Sequence, residues 1–364
     1  MVKVGVIGAG KWGRNHIRTL SNLDCELVGL ADIDPQAEKI AKDNNILYFQ
    51  DFYDMLPYVD AVTVAVPTDK HYDVVKECLI AKKHVLVEKP VTLRANKTQE
   101  LVELAEQQKC VFSVGYLYRF NPAVIKLKEL LEDAGQLQYI TTRYVHSTNP
   151  PRRDSGAVVN LGVHLIDILN FILEKHPGRV YCKTKDLFGN GLEESAMIML
   201  DYDSFFASLE VSSCHPEKAR DMWIIAEKLK IYCDFQDQII KVFPIEVSYD
   251  GVTKAEPYSV EIEKSEPLTE ELNHFVAIVS HELNGEYTKM VNIGREEYFT
   301  SRVCELALLS AEIRRDLDVK PDQAVATNAL SGNGTISTNG AAKTNGKVYT
   351  NVQQHKNGVS AYAS

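Results

Sequence analysis

The apolar positions at the start of the chain fall into two short runs separated by a glycine-rich break. Val2-Lys3-Val4-Gly5-Val6-Ile7 is rich in β-branched residues, the pattern of a strand buried on both faces of a parallel sheet. Gly8-Ala9-Gly10-Lys11-Trp12-Gly13 follows, then a helix-like stretch from Arg14 to Leu23, then a second strand from Glu26 to Ala31 that ends at Asp32. Further apolar runs at Ala61–Val66, His84–Val87 and Val111–Val114 alternate with helical stretches up to about residue 121. That alternation predicts an α/β fold, a Rossmann-type doubly wound parallel sheet over residues 1–121. From Pro122 to about Lys320 the texture changes. Ala196–Leu200 and Phe206–Val211 read as strands of an open, largely antiparallel sheet, and helices are predicted over 157–173 and 295–316, so residues 122–320 form an α+β second domain.

Residues 321–364 carry a different pattern, with Asn333, Asn339, Asn345, Asn351 and Asn357 spaced every six residues and mostly followed by glycine. A left-handed β-helix of hexapeptides needs an aliphatic side chain in every repeat. The matching positions here are Ile336, Ala342, Val348, Gln354 and Ser360, too few apolar groups to offset the entropy of ordering, so a disordered tail is expected.

Composition narrows the class. With 364 residues, 45% hydrophobic and 25% charged, the chain is long enough for two ordinary globular cores. A net charge of −10 argues against a nucleic-acid or anionic-membrane surface. No apolar run approaches a membrane span, and the first strand begins at once, leaving no room for a signal peptide. Seven scattered cysteines without C-x-x-C pairing fit free thiols in a reducing, cytoplasmic setting and give no zinc site.

The glycine-rich break is a full G-x-G-x-x-G, and each part has a physical job. Gly8 permits the tight turn, Gly10 lets backbone approach a pyrophosphate, and Gly13 lets helix and strand pack closely; Lys11 and Trp12 lie between them. The helix N-terminus offers free N–H groups to phosphates. Asp32, 19 residues beyond Gly13, is placed to accept hydrogen bonds from ribose hydroxyls. A carboxylate there repels a 2′-phosphate and no arginine follows in Ile33-Asp34-Pro35, so NAD is expected over NADP.

Two constellations could do chemistry. Val85-Leu86-Val87-Glu88-Lys89-Pro90 puts a lysine at the carboxyl end of a buried strand, where open α/β sheets bind ligands, and Pro90 is suited to a cis bond. On a regular helix Asn160, His164 and Asp167 are i, i+4 and i+7, a polar stripe on an otherwise apolar segment. Just upstream, Arg152 and Arg153 are candidates to meet a diphosphate, since guanidinium forks fit phosphate oxygens. The histidines show no metal-ligand spacing, so no metal is expected.

With Pro67-Thr68 and His71, Glu88-Lys89-Pro90, Gly115-Tyr116-Leu117-Tyr118-Arg119-Phe120-Asn121-Pro122 and the Asn160/His164 helix in this order, the chain resembles the glucose–fructose oxidoreductase/inositol dehydrogenase superfamily over residues 1–320. The resemblance implies Lys89 and His164 as catalytic, and NAD held by the glycine loop with Asp32, Pro67, Thr68, His71 and Glu88. It implies a substrate site including Asn121, Asn160, Asp167 and Arg119, the last to anchor substrate or shape the active-site loop, and a homodimer or homotetramer. Many members carry Asp where this chain has Asn160. Asn-x-x-x-His after Ser155-Gly156 is similar to the branch that oxidises the 3-hydroxyl of UDP-N-acetylglucosamine or its uronic acid, which makes a nucleotide sugar the expected small-molecule substrate. An inositol or free-sugar dehydrogenase and a non-catalytic nucleotide-sensing regulator stay open as alternatives.

Overall fold

The computed structural model describes residues 1–147, 154–285 and 294–319. The periodicity of the first third becomes β1 (Lys3–Ile7), α1 (Lys11–Leu20), β2 (Glu26–Ala31), α2 (Ala37–Asp43), β3 (Leu47–Phe49), α3 (Phe52–Met55), β4 (Ala61–Val64), α4 (Thr68–Ile80), β5 (His84–Val87), α5 (Ala95–Gln108) and β6 (Phe112–Val114). The six strands pair in the order β3-β2-β1-β4-β5-β6, every neighbour parallel. The order reverses between β1 and β4, and the crevice beyond their carboxyl ends is where such sheets bind ligands. All four residues of β4 and of β5 are buried, which is why their sequences run apolar without alternation.

A short 3-10 turn, Leu117–Phe120, leads into α6 (Pro122–Leu131). The second sheet follows: β7 (Leu137–Ser147), α7 (Val163–Leu173), β8 (Arg179–Lys185), β9 (Ser195–Asp201), β10 (Phe206–Ser212), β11 (Cys214–Ala226), β12 (Leu229–Asp234), β13 (Ile239–Ser248), β14 (Gly251–Lys254) and β15 (Tyr258–Val260), then α8 (Pro267–Leu283), α9 (Gly294–Ile313) and β16 (Leu317–Asp318). Its strands run β14-β13-β12-β11-β7-β10-β9-β8-β16, with β15 on β13. The sheet is antiparallel except at its centre, where β7 and β10 pair in parallel. A parallel pair needs a crossover, and α7 lies within the chain that makes it.

Alternation along β9 and β10 sends Ala196, Ile198, Leu200, Ala207, Leu209 and Val211 into a core that also takes in Val62, Val87 and Val114 from the first sheet. Both sheets belong to one packed unit, Met1–Lys320. The opposite face of the second sheet leaves Met197 (52%), Phe206 (44%) and Trp223 (38%) exposed. No helix of the described residues is long and apolar enough to cross a membrane. The hexapeptide tail at 321–364 lies outside the described residues.

Candidate active site

The nucleotide end is built by three glycines with separate steric reasons. Gly8 has φ +103°, and a Cβ there would lie 2.7 Å from the Ala65 carbonyl oxygen. A Cβ on Gly13 would sit 1.8 Å from the Gly8 carbonyl oxygen, so helix and turn touch backbone to backbone. At Gly10 the nearest atom is 4.0 Å away, an open face where a pyrophosphate can approach. Helix α1 starts directly after it, with Gly10 as N-cap and no side chain occupying the free N–H groups. Asp32 accepts the Ala9 N–H at 2.6 Å and the Asp34 N–H at 2.8 Å, which fixes its carboxylate at the rim of a cavity of about 750 Å³. Arg14 and Lys39 line the same cavity together with Asp32, Asp34 and Asp43. These two cations were not visible in residues 33–35, yet the lining still holds three carboxylates against two cations. Open backbone at Gly10, an uncapped helix end and a fixed carboxylate together fit a dinucleotide.

The motif residues around this loop divide between contact and framework. Lys11 is exposed on the first turn of α1 and Trp12 is half-buried against the core. Pro67 is the N-cap residue of α4, Thr68 its buried first residue. His71, 1% exposed, holds its ring nitrogens 2.8 Å from the Pro90 carbonyl and 2.9 Å from the Val66 carbonyl. Burial pushes its pKa down, so the neutral ring donates to one of the two at a time. Glu88 is buried and meets the equally buried His16 Nε2 at 3.1 Å.

Lys89 follows on the carboxyl end of β5, through a cis Lys89–Pro90 bond. Its ammonium donates to the main-chain carbonyl of Asn160 at 2.9 Å. The fold brings these residues, 71 apart in sequence, together, joining the end of β5 to the turn that precedes α7. His164, 5% exposed, lies on α7 with its ring stacked on Tyr144 at 5.5 Å and edge-on to Tyr118 at 5.2 Å. Its Nδ1 is buried without a hydrogen-bond partner. Burial, then the charges of Lys89 and Arg220, hold its pKa well below the ordinary 6.5, so the ring is neutral at physiological pH.

Several expectations change here. Residues 157–173 are not one regular helix: Val158–Gly162 form a π-helical turn before α7, so Asn160 does not stand in simple i, i+4 register with His164. The turn begins against Glu193, whose Oε1 accepts the Val158 N–H at 2.9 Å, and a Cβ on Gly156 would lie 2.2 Å from that carboxylate. Asp167 lies on α7 three residues beyond His164. It is fully buried and clamped by Arg119, which donates from Nε at 3.0 Å and from Nη2 at 2.6 Å, while Arg119 Nη1 also reaches Glu296. This bidentate pair ties the Leu117–Phe120 turn to α7, so among the described contacts both side chains serve the framework. Asn121 is likewise framework: it caps α6 by accepting the Ala123 N–H at 2.9 Å and donates to the Phe235 carbonyl at 2.8 Å. Arg152 and Arg153 lie outside the described residues.

Nothing in the sequence pattern marked Arg220, on β11. Its Nη1 donates to the Tyr118 hydroxyl at 3.1 Å, and its guanidinium lies 4.6 Å over the Tyr144 ring, against the two aromatics that hold His164. Glu297 was also missed; fully buried on α9, it accepts from the Tyr116 hydroxyl and from Ser301 at 2.8 Å. Among the described residues no group of three or more His, Cys, Asp or Glu side chains could hold a metal ion.

Comparison with known proteins agrees with this geometry. Residues 2–116 match the family model described as an oxidoreductase family with an NAD-binding Rossmann fold, and residues 124–233 match the GFO/IDH/MocA C-terminal domain. The chain is 28% identical over 221 residues to inositol 2-dehydrogenase of Rhizobium meliloti, covering 58% of this chain and 66% of that protein, just under two thirds of its length. It is 24% identical over 283 residues to UDP-N-acetylglucosamine 3-dehydrogenase of Acidithiobacillus ferrooxidans, covering 77% of this chain and 90% of that one. A solved structure of the latter superposes with a TM-score of 0.77 at 21% identity, over 86% of this chain and 98% of the other, a likeness of fold. Turn, carboxylate, strand-end lysine and matched halves lead to one statement: the chain belongs to the GFO/IDH/MocA family of NAD-binding oxidoreductases.

Proposed function

We propose that the protein oxidises a ring secondary alcohol, the 3-hydroxyl of a UDP-N-acetylhexosamine or its uronic acid, to a ketone. The observation that carries the reading is a neutral, buried His164 beside the Lys89 ammonium, two groups able to divide the work of removing a hydroxyl proton. His164 accepts the proton, because a ring held well below its ordinary pKa is available as a base at neutral pH. Lys89 stabilises the developing alkoxide by charge, and its bond to the Asn160 carbonyl keeps the ammonium aimed while the reaction proceeds. The Asn160 amide orients imidazole and sugar. Gly8, Gly10 and Gly13 with Asp32 hold the dinucleotide, and bound NAD supplies the acceptor for the hydride that leaves the same carbon. The Arg119–Asp167 pair braces α7, the helix that carries His164. The C3 assignment rests on the likeness to the UDP-N-acetylglucosamine 3-dehydrogenase, which spans more of both chains than the inositol 2-dehydrogenase match does. We further infer a homodimer or homotetramer formed through the sheet face that exposes Met197, Phe206 and Trp223.

The test is single-turnover NADH formation with UDP-N-acetylglucosamine, its uronic acid, myo-inositol and glucose, for the wild type and Lys89→Met. The wild type should turn over a UDP-sugar. Lys89→Met should lose a factor on the order of a hundred or more in rate while keeping NAD affinity. Preference for myo-inositol would move the substrate to the polyol class, and a wild-type rate in Lys89→Met would sink the mechanism.

A further inference from the structure

A half-buried arginine beside a general base needs a reason. Two other described arginines have carboxylate partners: Arg119 pairs with Asp167 and Arg143 with Asp221, each at 2.6 Å. Arg220 has none among the described residues; its partners are a phenol and a ring face, and its Nε–H is buried without an acceptor. A guanidinium taken out of water without a counter-charge is costly, and a ligand anion offsets that cost. Arg220 is also not alone. Lys218, two residues earlier on β11, and Lys11, at the open end of the glycine loop, both lie close enough to act electrostatically on His146 at the end of β7. The His146 ring in turn packs against Tyr144 at 6.0 Å, the ring that Arg220 and His164 both contact. Arg220 is the cation common to both histidines, acting on His164 together with Lys89 and on His146 together with Lys218 and Lys11, in a protein whose net charge is −10.

We propose that Arg220, flanked by Lys218 and His146, forms an anion subsite beside His164 that receives a phosphate or carboxylate group of the sugar substrate. The inference rests on reading the His164 cleft as the substrate site. It makes the substrate an anionic sugar, and it makes Arg220 the residue that separates such sugars from neutral polyols. Phosphate and carboxylate present the same pair of oxygens to a guanidinium fork, so the choice between them is left to the ligands used.

The experiment is titration calorimetry on the full-length, NADH-loaded protein, as wild type, Arg220→Met and Arg220→Lys. UDP-N-acetylglucosamine offers a diphosphate, glucuronic acid a carboxylate, UDP-N-acetylglucosaminuronic acid both, glucose 6-phosphate a monophosphate, and glucose no charge. At least one anion should bind the wild type more tightly than glucose does. Arg220→Met should weaken that binding by ten- to a hundredfold, the scale of a lost charge-assisted hydrogen bond, with Arg220→Lys recovering part of it. Glucose should not distinguish the three proteins. Should Arg220→Met fail to fold, Lys218→Met, on an exposed strand position, should still weaken the same anion severalfold. Anion binding that no variant alters, or a wild type that prefers glucose, overturns the subsite. NADH formation measured in parallel separates the two readings: Arg220-dependent binding without turnover sinks the dehydrogenase and keeps the subsite, whereas turnover of an anionic sugar whose binding Arg220→Met leaves unchanged does the reverse.

Discussion

Glu297 offers a perturbation whose size can be worked from the structure. It is fully buried on α9 under the Tyr116–Pro122 segment, and burial raises its pKa from the ordinary 4.5 to about 7, against the opposing pull of the Tyr116 and Ser301 hydroxyls. The folded chain thus keeps this proton up to about pH 7 while the unfolded chain releases it near 4.5. Between those values the folded state binds more protons, so its stability falls as pH rises through the window and levels off above it. At about 1.4 kcal/mol per unit of pKa, the full cost at pH 8 is about 3 kcal/mol. Glutamine resembles the protonated form and has no such slope. Glu297→Gln should therefore match the wild type at pH 4 to 5 and exceed it at pH 8 by up to about 3 kcal/mol, several degrees in melting temperature. Urea unfolding of both proteins at four pH values across this window measures it. A stability difference that does not change with pH, or a variant weaker than wild type at pH 8, refutes the reasoning.

Two further outcomes follow from the geometry of the loops. Asp32→Ser removes one of three carboxylates from a cavity that also holds Arg14 and Lys39, so a preference for NAD over NADP of more than tenfold in kcat/KM should narrow; equal use of both by the wild type would show that Asp32 does not face the ribose. Gly156→Ala pushes a methyl into the Glu193 carboxylate and should cost on the order of 1 to 3 kcal/mol and lower kcat, whereas Gly156→Ala with Glu193→Ala should recover much of the stability, a coupling that equal losses in a thermal melt of both would disprove.

The nucleotide half was legible because its determinants are local. Buried parallel strands run apolar in β4 and β5, and the glycine spacing answers to clashes within the same turn. The π-helical turn at Val158–Gly162 escaped because a polar stripe was counted at 3.6 residues per turn, and nothing in Val-Val-Asn-Leu-Gly signals the wider turn. Asp167 read as a ligand contact because polar residues in an apolar helix need partners, and Arg119 and Asn121 because the family resemblance implied it. The partners were other parts of the chain, 48 residues away for the ion pair and 114 for Asn121 and Phe235. Arg220 stayed hidden for the converse reason: on a strand it reads as one more outward polar residue until β11 is laid beside β7 and Tyr144. The parallel pairing of β7 with β10 has no local signature either, since strands of both kinds are apolar on the covered face.

The tie between Lys89 and residue 160 has a consequence for how such a site diversifies. Its acceptor is a main-chain carbonyl, a group that every residue type carries. Exchange of Asn160 for Asp therefore alters what the side chain offers to imidazole and sugar without deleting the anchor that draws the strand-end lysine onto the second sheet's crossover. A lineage exploring new alcohols through this position keeps its docking while it varies its chemistry, and the mutational path between carboxylate and amide forms of the site need not pass through an undocked enzyme.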